Sequence, residues 1–132
     1  MTPGVDIRVD PRPDRQSFAA LSVAAWGAPW DEGYDLDNVL RRSLVHLGAY
    51  SDGRLVGYVN VAWDGAMHAF LLDPMVHPDL RREGLGSTLV RRAIELARER
   101  GAAWLHVDYE PHLAGFYERC GFRPTQAGLI RL

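Results

Sequence analysis

Residues 81–87 of the chain are Arg81, Arg82, Glu83, Gly84, Leu85, Gly86 and Ser87, at the head of an amphipathic run that reaches Arg100. The first amides of a helix have no intrahelical partner, and the macrodipole places partial positive charge on them, so such a start receives anions. Gly84 and Gly86 remove side chains that would hold a phosphate off the backbone. Arg81 and Arg82 add cationic charge at the rim. The pattern suits a pyrophosphate, and it equally suits a turn that uses glycine for its shape alone. Two nucleotide-binding motifs are excluded: the chain has no lysine for a P-loop, and no third glycine stands at dinucleotide spacing.

Other residues with chemical potential lie apart from this loop. His106, Asp108 and Glu110 alternate and are expected to face one way along a strand. Steps of about 6.6 Å spread them too far to grip one metal ion unaided, so a hydrogen-bonded polar face is expected there and no metal. Trp26, Trp30 and Tyr34 flank Asp31 and Glu32. Aromatic faces and carboxylates together attract a cation; the alternative is a loop whose tryptophans pack on a sheet while its acids face water. Cys120 reads as a small apolar filler.

These residues need elements to position them. Val5 to Val9 alternates with period two and predicts a half-buried strand, closed by Pro11 and Pro13. Apolar positions at helical spacing predict a helix from Asp14 to Trp26, and the glycines and proline of residues 27–34 break it. Asp35 or Asp37 is placed to cap a short second helix through Arg42. Strands are predicted over His46 to Ser51 and Leu55 to Trp63, joined by a tight turn at Asp52 and Gly53.

A fourth strand, Ala66 to Val76, contains Asp73 and Pro74, where the missing ladder donor predicts a bulge or splay. Leu85, Leu89, Val90, Ala93, Ile94 and Ala97 form one apolar face of a helix over Gly84 to Arg100. A fifth strand over Trp104 to Glu110 then makes a βαβ unit with a parallel pair. A short helix over Pro111 to Cys120 and two closing strands, Phe122 to Arg123 and Leu129 to Leu132, complete an α/β domain with a mixed sheet.

With 132 residues, a single domain can bury enough apolar surface to fold without disulfides, and one cysteine cannot pair within the chain. A reducing, cytoplasmic setting is expected. The start from Met1 to Asp6 lacks the basic and apolar regions of a leader, and no run is long enough to span a membrane. A formal charge of -2, with all 15 basic residues arginine, gives no reason to expect nucleic acid as a partner. The short closing strands leave an end of the sheet that a second copy would cover, so a homodimer is expected.

The motif Arg81-x-x-Gly84-x-Gly86 after Val76-His77-Pro78, followed by Phe116-Tyr117-Glu118-Arg119-Cys120-Gly121-Phe122, resembles the GNAT superfamily of acetyl-CoA-dependent N-acetyltransferases. The resemblance covers nearly the whole chain as one domain, residues 1–132. It implies a largely antiparallel sheet with a parallel, splayed pair of central strands flanked by helices. It further implies that backbone groups near Met75 and Val76 pair with the pantetheine arm, and that amides from Arg82 to Ser87 hold the pyrophosphate. The segment with Trp26, Trp30, Asp31, Glu32 and Tyr34 would line the acceptor site. Tyr117 would protonate the departing thiolate; packing beside Phe116 and Phe122 is its other use. Many members carry asparagine seven positions before that tyrosine, where this chain has Glu110. A carboxylate cannot donate the same hydrogen bond unless protonated.

The implied reaction is direct transfer of an acetyl group to a primary amine of a small molecule or peptide. An ammonium ion has no lone pair for the attack, so a group or water chain must take its proton. Asp73 and Glu110 rank level for that role, with His68 third. The competing expectation from a different class is an acyl-CoA-binding sensor of the same fold without turnover. A proton donor at Tyr117 favours the enzyme.

Overall fold

The computed structural model describes residues 4–132; Met1, Thr2 and Pro3, part of the start read above for a leader, lie outside the described residues. Five strands form one sheet in the order β1 (Asp6–Val9), β2 (Ser43–Ser51), β3 (Arg54–Trp63), β4 (His68–Val76) and β5 (Trp104–His106). Neighbours run antiparallel except β4 and β5, which are parallel. Among the described residues, no helix is long and apolar enough to cross a membrane.

Local chemistry explains most boundaries. The side chain of Asp14 accepts from the Ser17 amide at 2.8 Å and starts α1 (Arg15–Trp26). Of the two candidate caps for α2 (Leu36–Arg41), Asp35 fills the role by accepting from the Asn38 amide at 3.0 Å. The β2–β3 turn has positive φ at both Asp52 and Gly53, as a two-residue hairpin demands. Strand β4 begins at His68, two residues later than expected. Asp64 accepts from the amides of Ala66, Met67 and His68 and holds them in a turn.

Each face of the sheet is covered differently. Helix α3 (Leu85–Glu99) packs Leu85, Leu89, Val90 and Ala93 on Leu47, Val59, Val61 and Leu71. Each such leucine, fully withdrawn from water, contributes about 2 kcal/mol. On the other face, Phe18 and Leu21 of α1 and Leu36 and Leu40 of α2 meet Tyr58 and Met75.

Leu71 and Met75 lie in different clusters, although period-two alternation would put them on one face. The register explains this: Asn60 pairs with Leu72 but Tyr58 pairs with Met75, so β4 spends one more residue than β3. Asp73, with φ of 54°, sits in this bulge, and the interruption expected at Asp73 and Pro74 is there.

The C-terminal third departs from expectation. Strand β5 stops at His106, so Asp108 and Glu110 are not on it. A 3-10 turn at Pro111–Leu113 precedes α4 (Ala114–Arg119), where one continuous helix was expected. The closing strands at residues 122–123 and 129–132 do not form. Leu129 and Ile130 are 86% and 83% exposed. With neither a ladder partner nor apolar burial, so short a run has nothing to hold it as a strand.

Candidate active site

Parallel pairing of β4 with β5 covers only His68 to Phe70. Beyond that point the bulge at Asp73 carries β4 away from the following chain, and two adjoining concavities open in the gap. One is an apolar slot of about 220 Å³, lined by Met75, Val76, Gly86, Leu89 and Phe116 among others. The other is a wider cleft of about 770 Å³, whose lining includes Trp26, Asp73, Asp108, Tyr109 and Glu110. Pro74, Leu113 and Tyr117 line both.

The slot ends against the head of α3. Gly84 is the helix cap in the left-handed region, φ of 84°, and no side chain caps the first turn. The amide of Thr88 bonds the Gly84 carbonyl, leaving the first-turn amides before it oriented outward for a ligand. Gly86 has no positive φ, and a Cβ there would meet Phe116 and Val76 at an ordinary 3.7 Å. Neither backbone conformation nor packing requires glycine at Gly86, whereas a ligand passing close to the backbone would.

The other loop residues divide their work. Arg81 donates to the Ala25 carbonyl at 2.5 Å and so ties the loop to the end of α1. Arg82 has φ of 68° and is exposed with Glu83 on the turn. Leu85 faces the core, and the Ser87 hydroxyl donates to the Gly84 carbonyl. Met75 and Val76 pair with Tyr58 and Gly57 on one side; toward β5 their edge has no ladder partner among the described residues.

Tyr117 is 4% exposed, stacked on Tyr109 at 4.8 Å and edge-on to Phe116 and Phe122. Burial, with smaller contributions from Cys120 and Asp108, raises its pKa, so the phenol keeps its proton at neutral pH. Packing and access to both concavities coexist at this residue. Asp73 lies on the cleft side, half-buried, and desolvation raises its pKa as well.

Beneath the bulge is an aromatic group that sequence reasoning missed. Tyr58 is 0% exposed, lines the slot, and its hydroxyl has no hydrogen-bond partner among the described residues. Phe18 holds it edge-on at 4.9 Å and stacks on Tyr34 at 5.8 Å. Burial and then the charge of Asp73 push the Tyr34 pKa up to about 12, and burial, Tyr34 and Asp73 push Tyr58 upward. The only sequence signal was a tyrosine within an apolar strand, which reads as core.

Of Trp26, Trp30, Asp31, Glu32 and Tyr34, only Trp26, the last residue of α1, lines the cleft. Trp30 and Tyr34 pack on Phe18, Asp31 accepts from the Gly33 amide, and Glu32 pairs with Arg15 at 3.1 Å. His68 is hydrogen-bonded to His106 at 2.8 Å and lies outside the cleft lining. The expected common face of His106, Asp108 and Glu110 therefore splits, with the histidine on the sheet and the acids in the cleft. Cys120 is half-buried, and burial raises its thiol pKa.

The sequence and the fold that carries these residues are similar to those of known proteins. The chain is 41% identical over 66 residues to the mycothiol acetyltransferase of Mycolicibacterium vanbaalenii, a match covering 50% of this chain and 22% of that protein. It is 42% identical over 59 residues to glucosamine 6-phosphate N-acetyltransferase 1 of Oryza sativa, covering 43% and 36%. The chain thus spans well under two thirds of these relatives. An acetyltransferase structure from Trypanosoma brucei superposes with a TM-score of 0.78 at 27% identity, covering 97% of this chain and 98% of that one. The profile described as the Acetyltransferase (GNAT) family matches residues 11–122, and the chain belongs to that family.

Proposed function

We propose that this chain transfers the acetyl group of acetyl-CoA to a primary amine, with both substrates bound together. The observation that carries the reading is Tyr117, a buried, protonated phenol lining both the apolar slot and the acidic cleft. The slot suits the pantetheine arm: its walls are apolar, the free edge at Met75 and Val76 offers backbone groups, and the orphaned Tyr58 hydroxyl awaits an acceptor. The amides from Arg82 to Ser87 suit the pyrophosphate. Acetyl-CoA, when bound, supplies a thioester whose carbonyl carbon is open to attack.

Asp73 takes one proton from the acceptor's ammonium group. It is preferred over Glu110 because burial raises its proton affinity and it stands at the bulge. The freed lone pair forms the C–N bond, the C–S bond breaks, and Tyr117 gives its proton to the departing sulfur. The second proton lost from nitrogen restores the tyrosine, so one proton is released to solvent overall. No acetylated side chain is needed. A second copy of the chain is proposed to cover the outer edge of β5, which has no ladder partner among the described residues; sedimentation at micromolar concentration distinguishes dimer from monomer.

Tyr117→Phe tests the reading. Coenzyme A affinity should stay within about twofold while kcat falls by roughly 10²–10⁴ at neutral pH. The deficit should shrink as pH rises past the thiol range, where thiolate is a stable product. A wild-type kcat at pH 7 would remove the proton-donor role and leave the acyl-CoA sensor as the better description.

A further inference from the structure

Two buried side-chain polar atoms lack a hydrogen-bond partner among the described residues, His46 Nδ1 and the Tyr58 hydroxyl. The first faces the Asp10 carboxylate at 3.6 Å, and His46 lines neither concavity. The second belongs to a side chain that lines the slot and is 0% exposed. An unmade hydrogen bond in such a place costs stability, and phenylalanine would avoid the cost. Packing does not explain the oxygen, because the edge-on contact with Phe18 at 4.9 Å is ring to ring. What enters the slot does explain it.

The position of Tyr58 along the slot selects the acceptor. The slot runs from Gly86, at the head of α3, to Pro74, Leu113 and Tyr117, where it joins the cleft. Tyr58 pairs with Met75, the residue after Pro74, so it stands toward the joined end. The charge of Asp73, which lines the cleft, reaches its hydroxyl. A pantetheine arm laid along the slot from a pyrophosphate at α3 presents its thioester to that end. Its amides lie back toward Gly86, where Val76 borders the slot.

We propose that the Tyr58 hydroxyl donates a hydrogen bond to the carbonyl oxygen of the thioester, while Tyr117 serves the sulfur. The assignment rests on the transferase reading and adds to it a second phenol with a different task. As the amine nitrogen attacks, electron density moves onto the carbonyl oxygen, and a donor fixed in advance in an apolar slot stabilises it. Asp73, by taking the ammonium proton, removes a negative charge from this neighbourhood as the oxygen gains its own. When the C–S bond breaks, the density returns to the carbonyl and Tyr117 protonates the sulfur. Tyr58 keeps its proton throughout, since burial, Tyr34 and Asp73 all raise its proton affinity.

Tyr58→Phe removes one oxygen and keeps the ring. Its melting temperature should equal or exceed that of the unaltered chain; a fall would show that the hydroxyl has a partner within the protein and would overturn the proposal. In equilibrium binding without amine, the unaltered chain should prefer acetyl-CoA about fivefold over S-ethyl-coenzyme A, a thioether that lacks the carbonyl oxygen. The variant should bind the two alike, with its affinity for free coenzyme A unchanged. In infrared difference spectra, the thioester carbonyl stretch should move to lower frequency on the unaltered chain and not on the variant. A preference for acetyl-CoA retained by the variant, or an equal loss of affinity for free coenzyme A, would place the hydroxyl elsewhere and overturn the proposal. Turnover separates the two layers: kcat of the variant should fall by roughly 10²-fold. Thiol release at an unaltered rate in the variant removes the role of Tyr58 and leaves the transferase. Carbonyl discrimination lost in the variant, with no thiol released by either protein for any amine, sustains the role of Tyr58 in binding and removes the transferase.

Discussion

The slot and the cleft meet at Tyr117, yet they are built from different materials. The slot has β4, α3 and α4 for walls, and its lining is almost wholly apolar. The cleft has the bulge of β4 on one side and, on the other, irregular chain: residues 107–110 and the tail residues Thr125, Ala127 and Leu129. Regular elements fix the slot through backbone ladders and buried leucines, so its shape follows from the fold. Coil sets the chemistry of the cleft, and coil can vary in sequence without disturbing the core. A shared co-substrate on the regular side and a particular acceptor on the irregular side is the division of labour this construction favours.

If that division holds, filling the slot should abolish one function and spare the fold. Gly86→Leu places a side chain between Phe116 and Val76, where a Cβ fits but the space beyond belongs to the slot. Coenzyme A affinity should fall by about a hundredfold or more in calorimetry, the largest effect expected on binding. Thermal stability should hold or rise, since leucine favours the helix over glycine by about 0.8 kcal/mol. Undiminished affinity would mean that coenzyme A does not use this channel.

On the cleft side, Asp73→Asn should reduce kcat/KM by about a hundredfold and raise stability at once. Asparagine keeps the shape and tolerates the positive φ of this position. The sign of the stability change follows from linkage. Burial raises the folded pKa of Asp73 above the unfolded value near 3.8, so the folded state binds the proton more tightly. Between the unfolded pKa and the raised folded one, stability therefore falls as pH rises, and it stays reduced above. The variant lacks this penalty. Its advantage in denaturant midpoint should grow as pH rises above the unfolded value and vanish below about pH 4. An advantage independent of pH would show that ionisation of Asp73 is not its source.

The same contrast governs what could be read from sequence. The head of α3 was legible because its glycines and arginines are local, and the bulge because Pro74 cannot donate to a ladder. The Asp52–Gly53 turn was legible for a similar reason. By contrast, the length of β5 depends on how far β4 runs beside it, and the bulge ends that run at Phe70. No local pattern carries such information, and the alternation through residues 104–110 reads as strand to its end. The contribution of Tyr58 was hidden for a related reason: an orphaned hydroxyl is defined by what does not surround it in space. Trp30 and Tyr34 show the converse. Their residue types suggested a ligand surface, and the aromatic packing around Phe18 absorbs them.

The smallest effect probes the tail. Leu129 lines the cleft while remaining 86% exposed, so it offers an acceptor one apolar contact without contributing to the core. Leu129→Ser removes that contact from ground state and transition state alike. The acceptor KM should rise by about two- to threefold with kcat unchanged, the signature of lost uniform binding. Coenzyme A affinity and melting temperature should not move, because the tail touches neither the slot nor the sheet ladder. A matching loss in coenzyme A affinity would show that the tail organises both sides of Tyr117. The regular and irregular walls would then be one cooperative unit, and the acceptor side could not change independently of the co-substrate side.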